Sequence, residues 1–315
     1  MIKTIIRGGI YMNRTRNRLL TSIARQKNIY IMLIPVIAYY VLFAYVPMFG
    51  NIMAFQDYKI TRGIFGSNFV GFKHFNSFLN DVYFWRLIKN TIRINVYGLV
   101  FGFPAPIIFA LLLNEVRNIS FKKTVQTITY MPHFISTVII CGMITSFVAR
   151  EGVINSVIVS LGGSPLEFMT DPKYFVGIYT ISGIWQNMGW SSIIYISALS
   201  SIDQELYEAA SIDGASRWKQ TIHITIPGIL PTVSILLIMQ IGQMLSVGFE
   251  KVMLLYNPSI YETADIISTY VYRQGILGAN YSYSAAVGLF NSVVNFILLV
   301  SVNAFSRKIS GNGLF

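Results

Sequence analysis

The sequence predicts an all-α integral membrane protein that crosses the bilayer six times, and three observations carry that prediction. Of 315 residues, 54% are hydrophobic and only 12% are charged, about half the charged fraction of an ordinary soluble domain. The apolar residues gather in runs of the length a bilayer requires, about 20 residues. None of these runs alternates apolar and polar residues as a barrel strand does. A soluble globular fold is excluded. Since lipid offers backbone groups no hydrogen-bond partner, each run must close its own bonds as a helix. The six runs cover residues 29–53, 90–113, 125–148, 175–199, 229–249 and 284–305.

In chain order, residues 1–28 form a basic tail with Lys3, Arg7, Arg14, Arg16, Arg18, Arg25 and Lys27 and no acid, which holds the N-terminus in the cytoplasm. Met12 opens a second start, "MNRTRNRLL", and would make the residues before it an extension. The first apolar run is too long for the core of a secretory signal peptide, and no small-residue cleavage site follows it. Pro104 and Pro106 predict a kink in the second run. Arg117, Lys122 and Lys123 outweigh Glu115 between the second and third runs, a cytoplasmic balance. Six crossings return residues 307–315, with Arg307 and Lys308, to the same side. The organisation is then one transmembrane domain, 29–306, between two cytoplasmic tails, with a cytoplasmic loop at 200–228.

Several chemistries are excluded at this level. The net charge of +11 is scattered between apolar runs and not gathered on one arm or face, which argues against nucleic-acid binding. Cys141 is the single cysteine and lies inside an apolar run, so neither a disulfide framework nor a cysteine metal cluster is available. His74, His133 and His223 are too dispersed to suggest a metal-ligand set. The loop carboxylates Asp57, Asp81, Glu151, Glu167 and Asp171 form no acid and base pair, so no catalytic residue is expected. No GxxxxGK[ST] stretch is present to bind ATP.

The loop at 200–228 departs from the charge rule, because Asp203, Glu205, Glu208 and Asp213 outnumber Arg217 and Lys219. An acidic surface is repelled by anionic headgroups, so a protein partner is the expected cover; the alternative is an amphipathic helix pair resting on lipid. Ser201 with Gln204 reads as a capping box, and Gly214 as a C-terminal stop. Ser216 is expected to cap a second short helix that ends by Pro227, with Pro231 in the first turn of the next span. Ala209, Ala210 and Gly214 permit close approach of a foreign surface, and Trp218 supplies a large anchor.

The segment "EAASIDGASRWKQTIHITIPGILP", Glu208 to Pro231, resembles the EAA loop of type I ATP-binding-cassette importer permeases. Glu208, Ala209, Ala210, Asp213, Gly214, Ala215, Trp218, Pro227 and Pro231 fall on that pattern; Trp218 stands where Phe is usual and Ile226 where Leu is usual. The stretches "YVPMFGNIMAFQDY", "FVGFKHFNSFLNDVYFWRLIKNTI", "YMPHFIS" and "IWQNMGWSSIIYISALSSID" resemble the carbohydrate-uptake branch, especially permeases for oligosaccharides and polysaccharide fragments. The resemblance implies a MetI-like six-helix architecture in a bacterial cytoplasmic membrane. It also implies a second homologous permease, two cytoplasmic ATPase subunits that bind ATP and magnesium, and an extracytoplasmic solute-binding protein. It makes Glu208 and Gly214 coupling residues, with Ala209, Ala210, Asp213 and Trp218 in support. No cofactor is expected in this chain.

The residues themselves point to an external energy source. No ionisable group is expected near the centre of a span: Arg93 and Arg150 fall near outer ends and His133 near an inner end, whereas proton relays need such groups. Sodium coupling through backbone carbonyls stays open. For a solute path, Trp185, Gln186, Asn187 and Trp190 cluster in the fourth run, with Gln240 and Gln243 in the fifth and Asn291 and Asn295 in the sixth. Amides exchange hydrogen bonds with hydroxyls, and aromatic faces cover the C–H surface of a sugar. Amides also hold membrane helices together, and tryptophans decorate interfaces. The outer segments 51–89, 150–173 and 250–283 are where the solute-binding protein that the resemblance implies is expected to dock. A related architecture importing amino acids or peptides, and more distantly a channel or membrane enzyme acting alone, are the alternatives.

Overall fold

The computed structural model describes residues 26–310. The basic tail before Gln26, the second start at Met12 and residues 311–315 lie outside the described residues. Helix α1 runs over Lys27–Phe55. A two-residue antiparallel ladder follows, β1 (Gln56–Asp57) with β2 (Asn68–Phe69), Gln56 opposite Phe69. Then come α2 (Lys73–Leu79), α3 (Phe84–Glu115), α4 (Ile119–Tyr130), α5 (Thr137–Val148), α6 (Val153–Ser160) and α7 (Phe175–Ser200). The chain closes with α8 (Gln204–Ile212), α9 (Arg217–Gly242), α10 (Phe249–Leu255), α11 (Tyr261–Ala264), α12 (Ile267–Tyr272) and α13 (Tyr281–Ser310).

The protein is an all-α integral membrane protein. Among the described residues five helical stretches are long and apolar enough to cross a membrane: Lys27–Phe55, Phe84–Glu115, Thr137–Ser160, Arg217–Gly242 and Tyr281–Lys308. The fourth expected span forms a single 26-residue helix, α7, but Gln186, Asn187 and its serines dilute its hydropathy. The third expected span is not one helix. Pro132 lies in a 3-10 turn, Met131–Phe134, and Ser136 then caps α5 by accepting from the Ile139 N–H at 3.4 Å. The chain breaks there because proline cannot donate to the helix and Ser136 offers a competing start.

Three further expectations shift. The fifth expected span ends at Gly242, since a turn over 243–248 separates it from α10. The cap of α8 is Asp203, whose carboxylate accepts from the Glu205 N–H at 3.0 Å, while the Ser201 hydroxyl donates back to the Ala198 carbonyl at 2.7 Å. The helix begun at Ser216 does not end by Pro227 but continues into the membrane as α9. A wide turn at Thr221–Thr225, in which the Ile226 N–H reaches back to the Thr221 carbonyl, precedes that proline.

The same device occurs twice more. Wide turns at Val41–Tyr45 and Gly98–Gly102 precede Pro47 and Pro104, each ending two residues before its proline. Proline clashes with the carbonyl four residues back, and an i to i+5 bond moves that carbonyl aside. Where the kink is expected at Pro104 the helix carries one such turn, with the Phe103 N–H donating to the Gly98 carbonyl at 2.9 Å.

Helix α7 is central and packs against α3, α4 and α9, while α13 packs against α9, α2 and the last turns of α1. At Gly189 the approach of α4 is so close that a Cβ would run into the Thr129 carbonyl, which is the use membrane helices make of small residues. Most of α1 projects exposed apolar residues such as Met32 and Phe43, as lipid permits.

The end of the bundle formed by α2, the start of α3, α11 and α12 is tied by a polar network. Asp265 is fully buried; it accepts two bonds from Arg273, at 3.0 and 2.7 Å, and one from Arg86 at 3.2 Å. Its own Oδ1 also accepts from the Thr269 hydroxyl at 2.9 Å, and Asn90 donates to the Glu262 and Asp265 carbonyls. Nearby, the hydroxyls of Tyr270 and Tyr283 each donate to Asp81 at 2.6 Å. Burial raises the Asp81 pKa, but these bonds and the Tyr83 N–H outweigh it and hold the carboxyl below its ordinary value.

Candidate functional site

At the opposite end of α3, α8 and the start of α9 form a projecting hairpin. Gly214 ends α8 in the left-handed conformation, φ +75°, where a side chain is strained. The Gly214 N–H donates to Ser211 and the Ala215 N–H to Ala210, at 3.1 and 2.9 Å, the paired bonds of a Schellman stop. Glu208, Ala209, Asp213, Gly214 and Trp218 are exposed, Ala210 is half-buried, and a Cβ on Gly214 would meet nothing in this chain within 4 Å. Ile212 and Trp218 are 88% and 72% exposed, which leaves two large apolar side chains on an acidic hairpin with no cover of their own.

The hairpin is fixed to the bundle rather than hung from it. Tyr207 and Thr225 join hydroxyls at 2.9 Å, and Gln220 donates to the Ser211 hydroxyl at 3.0 Å and to the Ala215 carbonyl at 3.1 Å. Arg217 pairs with Glu115 at the end of α3, at 3.2 Å. Ile202 fills the space left by Gly228 and joins Ala110, Tyr195, Leu199 and Ile229 in one apolar cluster. A push on α8 is thus delivered to α3, α7 and α9 together.

Those three helices enclose a cavity of about 660 Å³, lined by residues that include Gly98, Pro106, Tyr179, Asn187, Trp190 and Gln240. A second cavity of about 500 Å³ shares Tyr179 and Asn187 with it and adds His133, Gln186, Glu250 and Lys251. The two adjoin as one track along α7, mostly apolar in the first cavity with a few amide and hydroxyl groups, and more polar in the second. His133 stacks on Trp190 with ring centres 4.8 Å apart and planes 4° apart, and its Nδ1 lies 3.1 Å from the Asn187 Oδ1.

The sequence-predicted path residues separate into two sets. Gln186, Asn187, Trp190 and Gln240 line this track. Trp185 points the other way, into an apolar pocket with Phe147, Ile154 and Phe168. Gln243 lies exposed in the turn after α9. Asn291 lines a separate cleft with Met53 and Tyr281, and Asn295 is engaged in structure, accepting from the Leu245 N–H at 2.9 Å and donating to the Ser246 hydroxyl at 3.0 Å.

Two residues of the track were not legible as such. Lys251 follows the expected end of the fifth span at Phe249 and reads as outer loop. The turn over 243–248 instead aims α10 back against the N-terminal half of α7, where Lys251 donates to the Tyr179 carbonyl at 3.1 Å and lies under the Tyr179 ring. Lys251 belongs to none of the expected spans, so it brings an ionisable group to the interior from outside them. His133, placed by sequence at a span end, enters the track because the break at Pro132 turns it toward α7.

A family described as "Binding-protein-dependent transport system inner membrane component" matches residues 102–311. The polygalacturonan/rhamnogalacturonan transport system permease protein YteP of Bacillus subtilis (strain 168) is 44% identical over 97% of this chain and 96% of its own. The arabinooligosaccharides transport system permease protein AraP of the same organism is 30% identical over 88% of this chain and 86% of its own. A crystal structure of a bacterial alginate ABC transporter in complex with an alginate pentasaccharide-bound periplasmic protein contains a chain that superposes with a TM-score of 0.87, at 43% identity, covering 94% of this chain and all of that one.

Proposed function

The chain belongs to the binding-protein-dependent transport system inner membrane component family, and from that membership we propose that it is the permease subunit through which an ATP-driven importer moves oligosaccharides into the cytoplasm. The observation that carries this reading is the bonded continuity between the exposed hairpin, α8 with the start of α9, and the three helices around the track along α7. Relatives that carry polygalacturonan, rhamnogalacturonan and arabinooligosaccharides favour a polyhydroxylated solute, and the amide and aromatic lining of the track suits one.

In this mechanism two cytoplasmic ATPase subunits, which bind ATP and magnesium, grip the hairpins of this chain and of a second homologous permease. Glu208, Asp213 and Trp218 contact the ATPase, and Ala209, Ala210 and Gly214 let it approach the backbone. ATPase closure shifts the bundle between inward-facing and outward-facing populations, with the wide turns before Pro104 and Pro227 taking up the bend. An extracytoplasmic solute-binding protein delivers the sugar at the end bearing Asp265, and both termini lie in the cytoplasm. The Asp203 carboxylate fixes one end of α8 and the backbone bonds at Gly214 the other, so the hairpin acts as a rigid lever.

The test is reconstitution in liposomes of the full complex, with both permeases, the ATPases and the binding protein. ATP-dependent accumulation of oligogalacturonate, absent when the ATPase subunits are omitted, is expected. Accumulation of amino acids or peptides in place of sugar, or flux through this chain without the ATPases, would contradict it.

A further inference from the structure

Lys251 is a buried cation without a counterion. The residue is 8% exposed, and among the described residues it makes no ion pair; its ammonium donates to the Tyr179 carbonyl at 3.1 Å and lies 5.0 Å from the centre of the Tyr179 ring. The neighbouring Gly183 leaves room for it, since a Cβ there would stand 3.4 Å from Nζ. A charge removed from water and left unpaired is destabilising, and a carbonyl oxygen supplies only part of what an ammonium requires, which has three donors. The unfilled donors of Lys251 belong to the cavity that also holds His133, Ser136, Gln186 and Asn187.

We propose that Lys251 reads the carboxylate of a uronic acid unit as an acidic oligosaccharide passes along α7, and so makes the track selective for acidic sugars. This rests on the sugar-import reading above. The surrounding chemistry divides the labour. Asn187 and Gln186 meet hydroxyls, the exposed face of Trp190, braced by His133 behind it, covers the C–H surface of a ring, and Lys251 supplies the single buried positive charge. Glu250 also lines the cavity, exposed and without an ion pair to Lys251. The cation is held on a short helix packed on α5, not on a loop, so its position relative to α7 is fixed.

The experiment compares uptake of trigalacturonate with uptake of the same trimer after its carboxylates are reduced to alcohols, in the complete reconstituted transporter. Lys251→Met is expected to lower trigalacturonate uptake about tenfold or more, the loss typical of a hydrogen bond to a charged group, and to leave the reduced trimer within about twofold. Lys251→Arg is expected to retain trigalacturonate uptake. Binding of trigalacturonate to the solubilised transporter, measured without the binding protein, gives the same comparison independently of delivery. Equal loss of both substrates, with Arg failing too, would make Lys251 a structural residue or the mate of a partner's carboxylate and overturn the proposal, as would no loss of either. A wild-type transporter that moves neither trimer, while other solutes accumulate, would instead refute the sugar reading itself.

Discussion

Replacing Gly214 by valine is expected to lower uptake sharply while leaving the protein in the membrane. Two effects add. The residue holds φ +75°, a conformation that costs a residue with a side chain roughly 1–2 kcal/mol, more for a β-branched one, so the angle between α8 and α9 is disturbed. The position also has no neighbour in this chain within 4 Å, so added bulk collides only with a partner. Gly214→Asn separates the two, because asparagine tolerates the left-handed conformation. Uptake by Gly214→Val should fall about tenfold or more, as for loss of an interface hot spot, with inserted protein near the wild-type level. Gly214→Asn should fall as well if bulk against an ATPase is what matters. Uptake by Gly214→Asn equal to wild type would reduce the glycine to a turn former.

Asp265→Ala is expected to cause a large loss of stability. It removes the acid that pairs with both Arg86 and Arg273, whose side chains are 31% and 25% exposed. It also takes an acceptor from Thr269. Deleting one member of a buried charged network typically costs about 3–5 kcal/mol, because the remaining charge stays buried and unpaired. Thermal unfolding of the purified chain in detergent measures it. A shift no larger than that of an exposed substitution such as Asp171→Ala would mean that water or lipid headgroups replace the carboxylate without penalty.

Much of this protein was legible in its sequence because membrane crossing and helix termination are local physics. The runs around α1, α3, α9 and α13 follow from apolar length alone. Gly214 was readable as a helix stop because few other residues adopt its backbone angle. The errors arose where two local signals compete. Pro227 reads as a terminator, and it is carried through because the wide turn at Thr221–Thr225 relieves the clash that would have broken the helix. Pro132 lies inside an apolar run of full length, and the cap at Ser136 decides against continuity. The position of Lys251 depends on the turn over 243–248 directing α10 onto α7, a tertiary matter that no local period encodes. Likewise α7 presents Asn187 and Trp190 to one cavity and Trp185 to another pocket. Spacing on a helix states which residues share a face, not which neighbour meets it.

A benzophenone photoprobe attached at Ala209→Cys in membranes of cells expressing the whole transporter addresses the hairpin most directly. Cys141, the sole native cysteine, is buried and leaves the introduced thiol as the reactive one. Illumination is expected to join the chain to a nucleotide-hydrolysing subunit identified by mass spectrometry, in a yield that changes when ATP is bound. Capture of lipid alone, with and without nucleotide, would mean that the hairpin rests on the membrane and that nothing drives the bundle through it.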